Sequence, residues 1–308
     1  MTIYIDPPVW PAHGTVFSHV ISSASLEELH AFARSAGLSE RAFDRDHYDA
    51  PAHRYQELVD AGAVPVAGSQ LVRVLADSGL RIRSRERPEK LQRGLQRRWA
   101  RLGPEKGPAA QRWEEIGRRL LQCWSEPHRS YHALPHLGSV LRVCANLERD
   151  GELPAPLRRP VLLAGWFHDA VYRGEAGADE EVSARLAEDL LDGLLGSAEV
   201  AETARLVRLT AHHSTEEDDA AGSVLVDADL EVLGRDWPDY RRYTEQVRQD
   251  YAHVPDDQFA AGRAAVLRRL LGTSQLYRTR TARQLWQAKA CRNMERELAQ
   301  LQDQAGPA

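Results

Sequence analysis

The sequence of 308 residues predicts an α+β protein, in which a small α/β domain is followed by an all-α domain. Residues 1–86 alternate short β-branched or aromatic runs with amphipathic segments, which is typical of an α/β domain. Residues 110–308 carry apolar side chains at three-and-four spacing in nearly every segment, which indicates helices throughout. The length is sufficient for two domains.

The N-terminal domain is predicted to begin with a strand at residues 2–5, because this run is β-branched and aromatic and prolines follow it. Ser25 and Glu28 form a capping-box pattern that predicts the start of a helix, and Gly37 is expected to end it. The remaining predicted elements are a helix near 52–61, a strand at 64–66, a helix at 69–78 and a strand around 80–83.

The opening residues 1–14 and the run Phe-Asp-Arg-Asp-His-Tyr at 43–48 resemble a small bacterial domain family whose function is uncharacterised. The resemblance therefore implies no activity. Polar residues do cluster at predicted strand ends and loops, where α/β sheets usually form ligand sites. They are Asp6, His13, His19, Asp44, Asp46 and His47. Two interpretations stay open: a metal or phosphate site, or side chains that cap helices and form turns.

Residues 87–109 are predicted to form a basic linker with a helical middle. The stretch from Arg81 to Lys106 contains ten basic and three acidic residues, and Gly-Pro pairs punctuate its end. No interleaved aromatic residues or glycine-rich phosphate loop accompany the charge, so a solvated connector is favoured over a nucleic-acid contact. A chain that begins near Ala109 is therefore expected to fold independently.

The C-terminal domain is predicted to contain nine helices. Each carries apolar residues at helical spacing, and the last runs through Leu285, Met294 and Leu298. The predicted helices lie near 111–124, 131–149, 160–173, 179–195, 198–212, 223–233, 239–252, 257–271 and 281–302.

Composition excludes several classes of protein. The formal net charge of −5 gives no general attraction to nucleic acid or to an anionic membrane. Three cysteines lie far apart, which predicts neither a disulfide framework nor a zinc ribbon and fits a reducing compartment. The N-terminus lacks a signal-peptide pattern, and no run of about twenty apolar residues occurs. We therefore expect a cytoplasmic protein without a membrane partner; its oligomeric state stays open.

Three motifs in the helical domain carry potential metal ligands. They are Ser-Tyr-His-Ala-Leu-Pro-His at 130–136, Gly-Trp-Phe-His-Asp at 165–169 and Val-Asp-Ala-Asp-Leu at 226–230. Imidazole nitrogens and carboxylate oxygens together suit a divalent transition metal, which turns water into a nucleophile near neutral pH. On the predicted helices, His132 and His136 would share one face, since they are four residues apart. The motifs therefore predict a metal-dependent hydrolase.

These motifs resemble the HD superfamily of metal-dependent phosphohydrolases, which is named for its adjacent His-Asp pair. Further matching stretches extend over residues 112–301: Trp-Phe-His-Asp-Ala-Val-Tyr at 166–172, Asp-Glu-Glu-Val-Ser-Ala at 179–184, Asp-Ala-Asp-Leu at 227–230, Leu-Gly at 233–234, Gly-Arg at 262–263 and Arg-Asn-Met at 292–294. The resemblance implies an HD-type helical bundle and a metal bound by His136, His168, Asp169 and Asp229. Manganese, iron, cobalt, nickel and zinc all remain open as the metal.

Two further residues are candidates for catalysis. His132 is similar to the first histidine of the Tyr-His-Asn motif in cyclic-nucleotide phosphodiesterases, which protonates the leaving group, although Ala133 replaces the asparagine. The alternative is that His132 packs or orients a carboxylate beside the metal. Glu180 lies where related enzymes place a carboxylate near the water; alternatively, it belongs to a solvated helix start.

Other residues have less certain roles. His212 and His213 would hold a second metal ion or lie on the surface. Asp227 lies two residues before Asp229 and is expected to point away from the metal, as a cap or as support for a ligand. Basic candidates for contact with substrate phosphate are Arg129, Arg263 and Lys289, for which a surface ion pair is the alternative.

The sequence thus predicts a phosphohydrolase that cleaves a phosphoester, in a nucleotide or another small phosphorylated metabolite, with metal-activated water. The alternative is a non-catalytic regulatory protein that binds a metal or a nucleotide. The complete ligand set favours the enzyme.

Overall fold

The computed structural model describes residues 2–12, 14–81, 88–175 and 177–304. The chain divides into two compact units, Met1–Arg87 and Pro88–Ala308. The first contains a five-stranded sheet and the second is built from helices, so the predicted α+β class is confirmed. We call them the sheet unit and the helical unit.

The sheet unit is organised around its longest strand, β3. Its strands are β1 Ile3–Ile5, β2 Trp10–Ala12, β3 Thr15–Ser22, β4 Tyr48–Pro51 and β5 Val64–Pro65, and its helices are α1 Leu26–Ser35, α2 Tyr55–Asp60 and α3 Gly68–Asp77. Strand β3 pairs antiparallel with β1, β2 and β4, whereas β5 pairs in parallel with β1. The sheet is therefore mixed. The strand predicted around 80–83 is not found at Leu80 or Arg81, and its other residues lie outside the described ones.

Helix α1 begins as its capping residue predicts. The hydroxyl of Ser25 accepts a hydrogen bond from the backbone N–H of Glu28 at 3.1 Å. The Glu28 carboxylate, however, accepts from the hydroxyl of Ser22, so the reciprocal half of the capping box is replaced by a bond to the end of β3. Leu29 of α1 is fully buried in the core beneath one face of the sheet, and Gly37 has the positive φ that ends such a helix.

The helical unit contains helices at all nine predicted positions, the ninth divided in two, and starts with the helix predicted in the middle of the linker. Their bounds are α4 Pro88–Ala100, α5 Pro108–Cys123, α6 Leu134–Arg149, α7 Arg158–Phe167, α8 Ala178–Leu191, α9 Ser197–Leu209, α10 Ala220–Asp229, α11 Trp237–Asp250, α12 Asp256–Leu271, α13 Arg280–Ala282 and α14 Ala288–Gln304, with a π-helical turn at Arg283–Gln287. Among the described residues, no helix has both the length and the apolar content of a membrane span.

Two hydrophobic clusters form the core of the helical unit. The larger joins α4 to α10 and includes Trp113, Trp124 and Trp166, which are nearly or fully buried. The smaller joins the end of α10 to α11, α12 and α14 and includes Tyr240 and Met294. The proposed ligands lie at the ends of helices that the larger cluster packs together.

The predicted helical middle of the linker is present as α4, but the prediction that it is a solvated connector is wrong, because α4 packs into the helical core. Leu95 and Trp99 of α4 are 1% and 2% exposed. The Trp99 ring stacks on Trp113 at 4.5 Å, and each indole N–H donates to the other residue's carbonyl, at 2.7 and 2.9 Å. Gly117 makes room for this pair, since a Cβ at Gly117 would lie 2.3 Å from the Trp99 ring. The high charge of this stretch concealed the apolar spacing of α4. A chain that starts at Ala109 would lack this helix.

We expect Trp99→Ala to lower the free energy of unfolding of the helical unit by about 3–5 kcal/mol, because it removes a large buried side chain and leaves a cavity. Denaturant unfolding followed by circular dichroism measures the effect. Gln96→Ala, at an exposed position on the same helix, is the matched control and should change stability little. Equal stability of both variants would show that α4 is the solvated connector first predicted.

Candidate metal centre

Four side-chain atoms converge where α6 begins and where α7 and α10 end. The Nε2 atom of His136 lies 3.2 Å from Nε2 of His168 and 3.1 Å from Oδ1 of Asp229. The Nε2 atom of His168 lies 3.2 Å from Oδ2 of Asp169 and 3.6 Å from Oδ1 of Asp229. Both histidines are buried. The structure therefore brings together all four residues that the HD resemblance selected as ligands.

The spacing of the His136, His168 and Asp229 atoms fits one transition-metal ion, and Asp169 lies beside the two histidines. Bonds of about 2.0–2.2 Å from an ion to nitrogen or oxygen place neighbouring ligand atoms about 3.0–3.5 Å apart in octahedral or tetrahedral geometry. The atoms of His136, His168 and Asp229 are 3.1–3.6 Å apart, and Oδ2 of Asp169 lies 3.2 Å from His168 and 3.8 Å from His136. Two imidazoles and two carboxylates are ligands that divalent transition metals accept.

Helix ends hold the two histidines in place. Ala133 is the extended residue before α6, and His136 lies in the first turn of that helix. At the end of α7, His168 keeps helical geometry and its backbone N–H bonds to the carbonyl of Ala164. Nδ1 of His168 lies 3.0 Å from the carbonyl of Gly165, to which its N–H donates. This bond leaves Nε2 with its lone pair toward the other ligand atoms.

The electrostatics of the cluster favour a positive charge at its centre. Burial raises the pKa of Asp229, but hydrogen bonds to His136 and His168 outweigh this effect and hold the pKa well below its usual value. Burial lowers the pKa of His168, but the carboxylates of Asp169 and Asp229 raise it well above its usual value. A proton or a divalent cation among these atoms therefore stabilises the ionised carboxylates.

His132 lies outside helix α6, contrary to the prediction that it shares a helix face with His136. Helix α6 starts at Leu134, and His132 belongs to the preceding turn. Its Nδ1 lies 2.7 Å from Oδ2 of Asp250, and its ring stacks on Tyr172 with centroids 4.1 Å apart. A carboxylate from α11 therefore positions His132 in the site, and a shared helix face with His136 does not.

Asp250 is a site residue that the sequence analysis missed. Its side chain is fully buried and also accepts from the backbone N–H groups of Ser130, Tyr131 and His132. The carboxylate therefore fixes the whole turn that carries His132. The sequence offered one signal: an acidic residue at the C-terminal end of a helix opposes the helix dipole, so another interaction must favour it there.

A cavity of about 120 Å³ connects the two parts of the site. Its lining includes His132, Asp169 and Asp229, together with Glu180 and Tyr251. The Glu180 carboxylate accepts the backbone N–H of Gly177 at 2.5 Å, so it closes the N-terminus of α8 while bordering the cavity. The structure thus shows Glu180 at the start of α8, and its role near a water molecule stays a prediction.

The remaining candidates differ in their distance from the four ligand atoms. Nε2 of His213 lies 2.9 Å from Oδ2 of Asp229, whereas His212 is exposed. Asp227 is buried and accepts from the backbone N–H groups of Arg278 and Thr279 at 2.8 and 2.7 Å; burial raises its pKa to about 6. Asp227 therefore holds the segment before α13 in place and is not one of the proposed metal ligands.

Arg129 and Arg263 do not have the surroundings expected of phosphate-binding residues. The Arg129 side chain is fully buried, and its guanidinium donates to the carbonyls of His132, Asp169 and Ala170 at 3.2, 2.6 and 3.0 Å. It therefore braces the two turns that carry the site. Arg263 forms two hydrogen bonds with Glu297, at 2.7 and 3.0 Å, within the smaller cluster. Lys289 pairs on the surface with Asp236.

Comparison with known proteins concerns the sheet unit alone. Residues 3–78 match a family described as "Protein of unknown function (DUF4031)". No curated protein and no solved structure matches the chain. The predicted N-terminal domain of unknown function is thus confirmed, and the HD resemblance of the helical unit stays a prediction.

We expect His168→Ala to lose most of the transition metal that the wild-type helical unit binds, because it removes a buried ligand at the centre of the cluster. Elemental analysis after loading with manganese, iron, cobalt, nickel or zinc in turn measures the loss. His212→Ala is the matched control, since it removes an exposed histidine three residues beyond α9. Equal metal content in the two variants would contradict the ligand assignment.

Proposed function

We propose that the helical unit is a metal-dependent phosphohydrolase of the HD type, acting on a phosphoester in a nucleotide or another small phosphorylated metabolite. The main support is that four ligand atoms converge beside the oriented pair His132 and Asp250. A divalent ion bound there would lower the pKa of a water molecule and attract phosphate oxygens. The HD resemblance supports phosphorus as the reacting centre, since the ligands alone fit other hydrolyses as well.

His132 is suited to deliver a proton to the leaving oxygen. The hydrogen bond from its Nδ1 to Asp250 fixes the tautomer and leaves Nε2 as the atom that exchanges a proton with the substrate. Burial raises the pKa of Asp250, but the hydrogen bond from His132 outweighs it and keeps the pKa below its usual value. An ionised Asp250 therefore accepts the Nδ1 hydrogen of His132 and keeps the ring oriented.

The charge of the cavity supports dependence on a metal. Five carboxylates lie among the described residues that line it, and no lysine or arginine does: Asp169, Glu175, Asp179, Glu180 and Asp229. An anionic phosphate would be repelled by this lining unless a cation is bound there first. The metal would thus serve substrate binding as well as activation of water.

The size of the cavity limits how a substrate approaches. Typical small-molecule pockets measure about 300–1,000 Å³, whereas this cavity measures about 120 Å³. A phosphate group fits such a volume better than a whole nucleotide. We therefore infer that the phosphoester enters the cavity while the rest of the substrate lies against its rim.

The alternative function, non-catalytic binding of a metal or nucleotide, does not require an oriented acid. A buried carboxylate that holds His132 at the cavity therefore favours the enzyme. A panel of nucleotides, cyclic nucleotides and bis(p-nitrophenyl) phosphate, tested with protein loaded with each of the five metals, distinguishes the two. Full metal occupancy without hydrolysis of any member would favour the regulatory protein.

We expect His132→Ala to retain the metal and to lower kcat by about 10²- to 10⁴-fold, the usual contribution of a general acid. Asp250→Asn should lower kcat as well, since it removes the charge that orients and stabilises His132. Asp257→Asn, at an exposed position on α12, is the matched control and should keep full activity.

Steady-state kinetics and metal analysis on the same preparations separate the possible roles. A variant of His132 that loses metal together with activity would identify His132 as a ligand. A pH profile of kcat whose basic limb is unchanged in His132→Ala would contradict its role as the general acid.

A further inference from the structure

A second group of histidines and carboxylates lies in the sheet unit, on neighbouring strands. His19 of β3 and Asp49 of β4 are direct partners in the antiparallel register. Side chains of such partners lie on the same face of a sheet, close to each other. The adjacent residues Val20 and Tyr48 point to the opposite face and are buried in the core. His19 and Asp49 therefore face away from that core.

His47 completes the group from the turn before β4. The backbone N–H of Asp44 donates to the carbonyl of His47 at 2.8 Å, and Arg45 has a φ of 69°, which closes the turn tightly. The His47 and His19 rings meet edge to face with centroids 4.9 Å apart. The turn thus places the His47 imidazole over the same pair of strands as Asp49.

Three potential ligand atoms converge in this group. Oδ1 of Asp49 lies 3.3 Å from Nε2 of His47 and 3.8 Å from Nε2 of His19. Ligand atoms of all three residues lie within 4.8 Å of one another. Ligand atoms around one ion with bonds of about 2.1 Å are separated by up to about 4.2 Å, so small side-chain rotations suffice to bind it.

Each histidine is also held from behind by a carboxylate. Nδ1 of His19 lies 3.1 Å from Oδ2 of Asp6, and Nδ1 of His47 lies 2.5 Å from Oδ1 of Asp46. The side chains of Asp6 and Asp46 are 2% and 3% exposed. Metal-binding histidines commonly donate their second N–H to such a carboxylate, which orients the ring and leaves the other nitrogen to the ion.

We propose that His19, His47 and Asp49 form a divalent transition-metal site in the sheet unit, with Asp6 and Asp46 as the residues that orient the two histidines. Two imidazoles and one carboxylate suit zinc, cobalt, nickel or ferrous iron. Three protein ligands leave at least one coordination position for water or an anionic ligand. The Asp49 side chain is 44% exposed.

The site is independent of the one in the helical unit, which uses other residues. Asp44, which the sequence grouped with these ligands, forms the supporting turn, and His13 lies outside the described residues. Trp10 adds support, because its indole N–H donates to Asp6 at 2.9 Å.

The test uses the full chain, stripped of metal and titrated with cobalt(II). Asp49→Cys should retain one ligand atom and add a near-ultraviolet thiolate-to-cobalt band whose final amplitude corresponds to one thiolate-bound cobalt per chain. Asp60→Cys is the matched control, since Asp60 is an exposed aspartate on α2, and it should show no such band. Because Asp49 is half-exposed, its replacement leaves the core of the sheet unit intact.

Metal content provides the second measurement. Asp49→Asn should lose one equivalent of cobalt per chain or bind it at least about tenfold more weakly, and Asp46→Asn should weaken binding about 10- to 100-fold. His168→Ala should leave the Asp49→Cys band unchanged, so that failure of either site is detected separately. The proposal is overturned if Asp49→Cys shows no band and Asp49→Asn binds cobalt as wild type does.

Discussion

The helical unit depends on a repulsion that its packing must overcome. Two imidazole nitrogens and two carboxylate oxygens meet within a buried space, although atoms with lone pairs repel one another unless a proton or a metal cation lies between them. Three helix ends supply these atoms, and the core around Trp124 and Trp166 holds those ends together. The packing thus maintains an arrangement that a positive charge stabilises.

Arg129 extends this arrangement to the proposed acid. Its guanidinium crosses from the turn that carries His132 to the turn that carries Asp169, and it donates to a carbonyl in each. Asp250 holds the same His132 turn from the opposite side through backbone N–H groups. The relative position of acid and ligands is therefore set by hydrogen bonds from two buried side chains, Arg129 and Asp250, to the backbone of these turns.

Local features of the structure were predictable from the sequence, and distant ones were not. The cap at Ser25 depends on a partner three residues away, and helical periodicity located the nine helical segments that follow α4. The pairing of His132 with Asp250 joins residues 118 positions apart, which no periodic pattern encodes. Arg129 was predicted to contact phosphate or to form a surface ion pair, because its sequence neighbours do not reveal that its partners are main-chain carbonyls. The ligand set itself was predicted through a resemblance, since its members come from three separate helices.

The carboxylate of Asp229 is shared between two parts of the helical unit. One oxygen faces His136 and His168, and the other lies 2.9 Å from His213, whose φ of 52° is uncommon for a residue other than glycine. The Asp229 carboxylate therefore couples the ligand cluster to the connection between α9 and α10. A ligand that orders this connection and alters Asp229 would change the affinity of the cluster for its cation. By thermodynamic reciprocity, the cation would change the affinity for that ligand by the same factor.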